Sequence, residues 1–140
     1  SLSEIESIMN QQSGLLGISG LSRDMREILA GLQRGHAQAK LAFEMYVYRL
    51  RKAIGAYAAA MDGLDVLIFT AGVGENAPLV REKVCTGLTF LGIDLDHEKN
   101  RANATGMRRI STEDSAVEVL VIPTDEEWMI ARETKKLAEK

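Results

Sequence analysis

Val66-Leu67-Ile68-Phe69-Thr70-Ala71-Gly72-Val73-Gly74-Glu75-Asn76 decides how this 140-residue chain is read. Its first four residues are apolar and two of them are β-branched, the composition of a short strand buried on both faces. Two glycines follow, and Pro78 suits the first turn of a helix. Val80, Val84 and Leu88 recur at helical spacing and predict that helix's buried face. The order is strand, glycine turn, helix.

The same order recurs near the C-terminus. Val117–Ile122 is apolar and β-branched, and Pro123 stops it. Thr124-Asp125-Glu126-Glu127 has the form of a capping box, with Thr124 as cap and Glu127 folding back, and opens a helix to about Glu139. Two buried strands, each followed by a helix, make the chain α/β. A parallel sheet places ligand loops at the carboxyl ends of its strands, where Gly72–Asn76 and Thr124–Glu127 both lie.

The upstream half reads as helical with one exception. Ser3 can cap a short helix, Ser3–Asn10, with Glu6 three residues on. Ser13-Gly14-Leu15-Leu16-Gly17-Ile18-Ser19-Gly20-Leu21-Ser22 has three glycines in ten positions, which suits a bent loop. Ser22 or Arg23 introduces a helix over Asp24–Ala30 that Gly31 ends. From His36 to Met61, Val47, Leu50, Ile54, Tyr57 and Met61 form one apolar stripe. Ala42, Met45, Tyr46, Ala53, Ala56 and Ala60 form a second, predicting one long helix buried on much of its circumference. Such a helix crosses the whole body or packs on a second subunit. Short strands are expected around Ile93–Leu95 and Arg109–Ser111, flanking the polar stretch Asp96–Gly106.

Composition narrows the function classes. Hydrophobic residues make up 46% and charged residues 26%, with a net charge of -3. That balance points to a globular protein with neither a nucleic-acid nor a membrane-surface partner. No apolar run approaches the roughly 20 residues needed to span a bilayer. Ser1–Asn10 lacks the charged-then-apolar pattern of a signal peptide. Cys85, the single cysteine, reads as a small buried hydrophobe beside Val84 and suits a reducing compartment, giving a cytoplasmic expectation.

Three places carry candidate chemistry. Main-chain N–H groups around Gly72, Val73, Gly74, Glu75 and Asn76 can face an anion, helped by the helix dipole. The stretch matches neither the dinucleotide fingerprint nor the P-loop, and spacing alone suits a plain tight turn better. Asp24 can accept from ribose hydroxyls and Arg26 can stack on a purine, although a solvated first turn with a favourable Asp explains both more simply. With Thr124 as cap, Glu126 is free to face a magnesium ion, directly or through water; helix-dipole complementarity is the plainer reading. His36, read as exposed in the long helix's first turn, and His97 have no metal-ligand spacing and no nucleophile elbow.

Three of these stretches, in order, resemble acetate kinases: Ser13–Ser22 with Asp24 and Arg26, Phe69–Asn76, and Val121–Glu127 continuing into Ile130–Thr134. The resemblance covers nearly the whole chain. It implies part of a ribonuclease-H-like, actin-like ATPase domain, a mixed sheet with flanking helices and one long helix. It implies that residues 1–140 are the C-terminal portion of such an enzyme, a single incomplete nucleotide-binding domain. The activity implied is reversible phosphoryl transfer from ATP to acetate with magnesium, in a homodimer. Asp24, Met25 and Arg26 then match positions contacting adenosine; Gly72, Val73, Gly74, Glu75 and Asn76 match the second nucleotide loop; Glu126 matches the glutamate assisting magnesium. Val73 stands where isoleucine is frequent.

The resemblance also places the family's catalytic arginines, histidines, asparagine and aspartate, and the acetate pocket, upstream of this segment. It therefore assigns no catalytic residue to this chain, which alone should retain at most nucleotide contact. Missing upstream strands would leave a sheet edge needing cover. Competing expectations are a propionate or butyrate kinase of the same fold and a non-catalytic dimerisation module built on His36–Met61. A dinucleotide oxidoreductase ranks below both, because the glycine spacing is wrong.

Overall fold

The computed structural model describes residues 1–139. Four helices come first: α1 (Leu2–Gln11), α2 (Gly14–Ser19), α3 (Met25–Gln33) and α4 (Ala37–Ala60). Strand β1 (Val66–Phe69) leads into α5 (Ala71–Asn76) and α6 (Pro78–Thr86), then a single 3-10 turn (Thr89–Leu91) and α7 (His97–Arg101). Strands β2 (Arg108–Arg109) and β3 (Glu118–Val121) precede α8 (Glu126–Ala138). The sheet order is β1-β3-β2, with β1 parallel and β2 antiparallel to β3.

Leu67 pairs with Val119 and Phe69 with Val121, which sets these four side chains on one face. Phe69, Val119 and Val121 join the core with Val80, Val84 and Leu88 of the following segment and with Phe43 and Val47 of α4. The expectation that β1 is buried on both faces is corrected: Val66 is 39% and Ile68 51% exposed. Helices cover one face of this three-stranded sheet, and β1 is an edge strand, so its alternate side chains face outward.

The Ser13–Ser22 segment is also corrected. It forms α2 rather than a bent loop, with Gly14 at φ 60 and Gly20 at φ 62 bracketing the helix. Leu15 and Leu21 pack against the core, and that burial overrides the low helix propensity of the glycines. Asp24, not Ser22 or Arg23, caps α3, which runs past Gly31 to Gln33. Gly31 lies buried in mid-helix because a Cβ there would meet Ala39 Cβ and Leu21 Cδ2 at 2.9 Å. At the N-terminus, Ser1 with Glu4 forms the capping box in place of Ser3 and Glu6.

The long helix has the expected bounds. His36 caps it, with its Nδ1 accepting from the Ala39 N–H at 3.1 Å, and Met61 closes it. Its burial is narrower than the two stripes predict. Ala39, Ala42, Phe43 and Val47 are buried under α2, α3 and α6, whereas Tyr57 is 69% and Met61 61% exposed. Ala53, Ala56 and Ala60 are exposed too. The covering helices are short and reach mainly its first half. Asp96 caps α7, an element inside the stretch read only as polar. Leu95 bridges Ser111 close to the expected short strands. Cys85 is buried, and burial pushes its thiol up to about 12, which makes it inert. Among the described residues no helix is long and apolar enough to cross a membrane.

Candidate functional site

The chain leaves β1 through Thr70, which is extended, and turns sharply at Ala71, whose φ is 59. An alanine in the left-handed region costs roughly 1 kcal/mol, so the turn is held by its surroundings. The glycine stretch is the short helix α5 rather than a loop. Its first turn leaves backbone N–H groups without intrahelical acceptors, and Thr70 supplies no side-chain cap. Those donors remain available to an external anion.

The two glycines serve different ends. A Cβ on Gly74 would lie 3.1 Å from the Phe69 carbonyl carbon and 3.4 Å from its Cα, so Gly74 lets α5 fold back on the strand. A Cβ on Gly72 would meet nothing within 4 Å, because Gly72 faces open space. Asn76 secures the turn by donating from Nδ2 to the Gly72 carbonyl at 2.9 Å. Arg81, on α6, donates from Nη1 to the carbonyls of Gly74 and Glu75, each at 2.8 Å.

Gly72, Val73 and Asn76 share one groove of about 550 Å³ with Asp24, Met25 and Arg26. Leu29 and Ala77 supply its apolar lining. Asp24 and Gly72 are 48 positions apart in sequence, and the packing of α3 near the β1–α5 turn brings them together. Across Gly72 the groove meets a second hollow of about 410 Å³, where Ala71 and Gly72 face Asp125, Glu126 and Glu127. Gly74 and Glu75 line neither hollow. Gly74 packs on Phe69, and the Glu75 carboxylate accepts from Thr124 N–H at 3.0 Å and Thr124 Oγ1 at 3.1 Å.

That contact corrects the cap of the last helix. Asp125 is the N-cap, with its Oδ1 accepting from Trp128 N–H at 3.1 Å, and Glu127 does not fold back on Thr124. Glu75 satisfies the Thr124 amide instead, tying the two strand-end turns to each other. Glu126 and Glu127 are both exposed in the first turn of α8.

At the other end of the groove, Asp24 Oδ1 accepts the Arg26 backbone N–H at 2.9 Å, and both its oxygens accept from Arg26 Nε at 3.1 Å. The side-chain bond from Arg26, followed by its backbone N–H, holds the Asp24 carboxyl well below its ordinary value, down to about 2. The Arg26 side chain is 88% exposed, so a planar guanidinium face is open for stacking. A carboxyl depressed in the folded state stabilises the cap above its ordinary range, and that contribution is lost as pH falls through about 4 to about 2. A carbon-13 titration of the Asp24 carboxyl at low salt is expected to give a midpoint near 2. Added salt should move it upward, since the pair is exposed. A midpoint near 4 at low salt would mean that the pair is not populated.

Sequence reading missed Ala71 as the turning residue, the Glu75–Thr124 tie and the Arg81 clamp. Only Arg81 left a signal: a cation beside Val80, Val84 and Cys85 on a helix face otherwise apolar.

Parallel strands ending in two joined turns, with open helix N–H groups on one side and carboxylates on the other, define an α/β unit suited to an anionic ligand at its strand ends. Residues 1–132 match the Acetokinase family, and the chain belongs to that family. It is 53% identical over 137 residues to the acetate kinase of Pseudothermotoga lettingae, spanning 97% of this chain and 33% of that protein. Among solved structures, Porphyromonas gingivalis acetate kinase aligns with a TM-score of 0.88 and 48% identity, over 99% of this chain and 35% of that one. A propionate kinase from Francisella tularensis aligns with a TM-score of 0.83 and 41% identity, over 95% and 33%. The mixed α/β fold is thus that of acetate kinase structures, and the chain spans about a third of the length of the curated relatives it matches.

Proposed function

We propose that this chain is the nucleotide-binding portion of an acetate kinase, which transfers phosphate reversibly from ATP to acetate to give acetyl phosphate and ADP. The observation that carries the reading is the groove joining Asp24, Met25 and Arg26 to Gly72, Val73 and Asn76. In it, Arg26 and Met25 flank the adenine, Asp24 accepts from the ribose, and the open N–H groups of α5 face the phosphates. Gly74 and Glu75 shape that turn without lining it.

Magnesium fits the same place. Its usual protein share is one or two carboxylates, with phosphate oxygens and water completing the shell. Glu126, with Asp125 and Glu127 beside it, faces Gly72 and supplies that donor type. Among the described residues no group of three or more His, Cys, Asp or Glu side chains converges as a self-sufficient metal cage. When bound, the ion neutralises charge on the phosphates; Glu126 orients it or its water.

Phosphoryl transfer needs cationic groups at the transferring phosphate, and none lines the hollow between Gly72 and Glu126. Those groups and the acid pocket then belong to the other two thirds of the enzyme. The choice between acetate and propionate lies there too. The exposed apolar face of α4, with Tyr57 and Met61, supports a homodimer contact, and the lone inert thiol of Cys85 supports a cytoplasmic setting.

The test replaces the matching segment of the Pseudothermotoga lettingae enzyme with this chain and traps acyl phosphate with hydroxylamine. ATP-dependent acetyl hydroxamate is expected from the chimera and none from the chain alone, with acid preference following the upstream donor. No hydroxamate from a folded chimera with acetate, propionate or butyrate would overturn the proposal.

A further inference from the structure

A third hollow, of about 500 Å³, lies against the end of α5, where Glu75 and Asn76 meet Arg81, Asn100, Arg101 and Arg108. Three arginines thus line this hollow. Arg101 has a counter-charge, Glu82 Oε2 at 2.9 Å. Neither Arg81 nor Arg108 takes part in an ion pair among the described residues.

Arg81 is 1% exposed and bonded only to neutral acceptors: Asn100 Oδ1 and the Asn100 carbonyl, each at 2.7 Å, besides the carbonyls of Gly74 and Glu75. That uses four of its five N–H groups. Burial, and then the charge of Arg108, lower its pKa to about 10. Arg108 is worse served. Its Nε is buried without an acceptor, and its Nη atoms reach only the Gly106 carbonyl at 3.4 Å and the Glu75 carbonyl at 3.5 Å. Two neighbouring cations with unspent donors and no carboxylate partner form a fork suited to a planar or tetrahedral oxyanion.

We propose that this hollow binds a small molecule through a phosphoryl or carboxylate group held by Arg108, with the spare N–H of Arg81 beside it. The volume exceeds what a single inorganic ion fills, and Asn103 and Thr105 offer polar contacts to the remainder of the ligand. The site couples to the nucleotide groove through Glu75. Its carbonyl accepts from both arginines and its carboxylate accepts from Thr124, so an anion that draws Arg108 away shifts both strand-end turns. Such coupling is reciprocal: nucleotide and anion change each other's affinity by the same factor. The anion site itself stands independently of the kinase reading.

The test titrates the nitrogen-15-labelled chain with inorganic phosphate and, separately, with succinate, following backbone amides. Saturable shifts centred on residues 103–108, with smaller ones at Glu75 and Asn76, are expected from at least one anion. The tighter anion identifies the group as phosphoryl or carboxylate. Arg108→Gln is expected to weaken binding about tenfold or more, and Arg108→Lys, which keeps charge but loses the fork, by less. Shifts at residues 71–73 report the separate nucleotide groove. The proposal is overturned if neither anion gives saturable shifts at residues 103–108, whether or not residues 71–73 shift, or if affinity at residues 103–108 is undiminished in a folded Arg108→Gln chain. If Arg108→Gln unfolds, Arg108→Lys decides: affinity equal to the parent's removes the fork.

Discussion

Arg81→Met is expected to destabilise the chain by roughly 3 kcal/mol, since it strips hydrogen-bond donors from several buried acceptors, each worth about 1–3 kcal/mol when orphaned. The carbonyls of Gly74 and Glu75 and both oxygens of Asn100 lose a partner together. Relief of the guanidinium's desolvation, and the partial exposure of the Gly74 and Glu75 carbonyls, offset much of that loss, which is why the figure sits below the sum of about 4–12 kcal/mol. Asn100 Nδ2 still donates to the Pro78 carbonyl at 3.0 Å, so α7 remains anchored while the end of α5 does not. Urea unfolding measures the effect on stability. A second readout is the ADP affinity of the chimeric enzyme, expected to fall with the turn's loss of definition. A change within about 0.5 kcal/mol, the range of ordinary surface substitutions, would show that Arg81 does not hold the turn.

Gly72→Leu and Gly74→Leu are expected to fail in opposite ways. Gly72 faces open space with no positive φ, so leucine fits the backbone and improves helix propensity by up to about 1 kcal/mol. Its side chain then projects toward the groove, and ADP affinity of the chimera should fall about tenfold or more, a loss of at least 1.4 kcal/mol. Gly74 has the Phe69 backbone at 3.1 Å from any Cβ, and backbone gives way poorly. Gly74→Leu should therefore cost about 1–3 kcal/mol in overpacking, and more if β1 is displaced. Thermal melts and nucleotide titrations of both variants separate the roles. Equal stability loss at the two positions would contradict the assignment of Gly72 to a ligand face.

The parts of the fold that were legible in the sequence are those where one physical signal dominates. The α4 bounds followed from a long apolar period with His36 and Met61 at its ends, and the order of β1, glycine turn and α6 followed from an apolar run, glycines and Pro78, although the turn itself is the short helix α5. The misread parts are those that long-range packing settles. Leu15 and Leu21 pay no visible dividend in the local sequence, yet their burial makes a helix of a glycine-rich segment. Burial of β1 on one face depends on which side helices occupy, and that is decided by α4 and α6, not by Val66–Phe69. For the candidate site, residue types at strand ends were readable, but convergence was not. Nothing local links Asp24 to Gly72, or Glu75 to Thr124 across 49 positions. The cap of α8 moved from Thr124 to Asp125 because Glu75, distant in sequence, takes the Thr124 amide.

The most direct test of the central claim is a crystal structure of the catalytically competent chimera with ADP and magnesium. Density is expected for the purine against Met25 and Arg26, for the ribose at Asp24 and for the diphosphate at the amides of Gly72 and Val73, with the metal on the Glu126 side. Nucleotide density seated elsewhere, with the groove between α3 and α5 filled only by solvent, would contradict it.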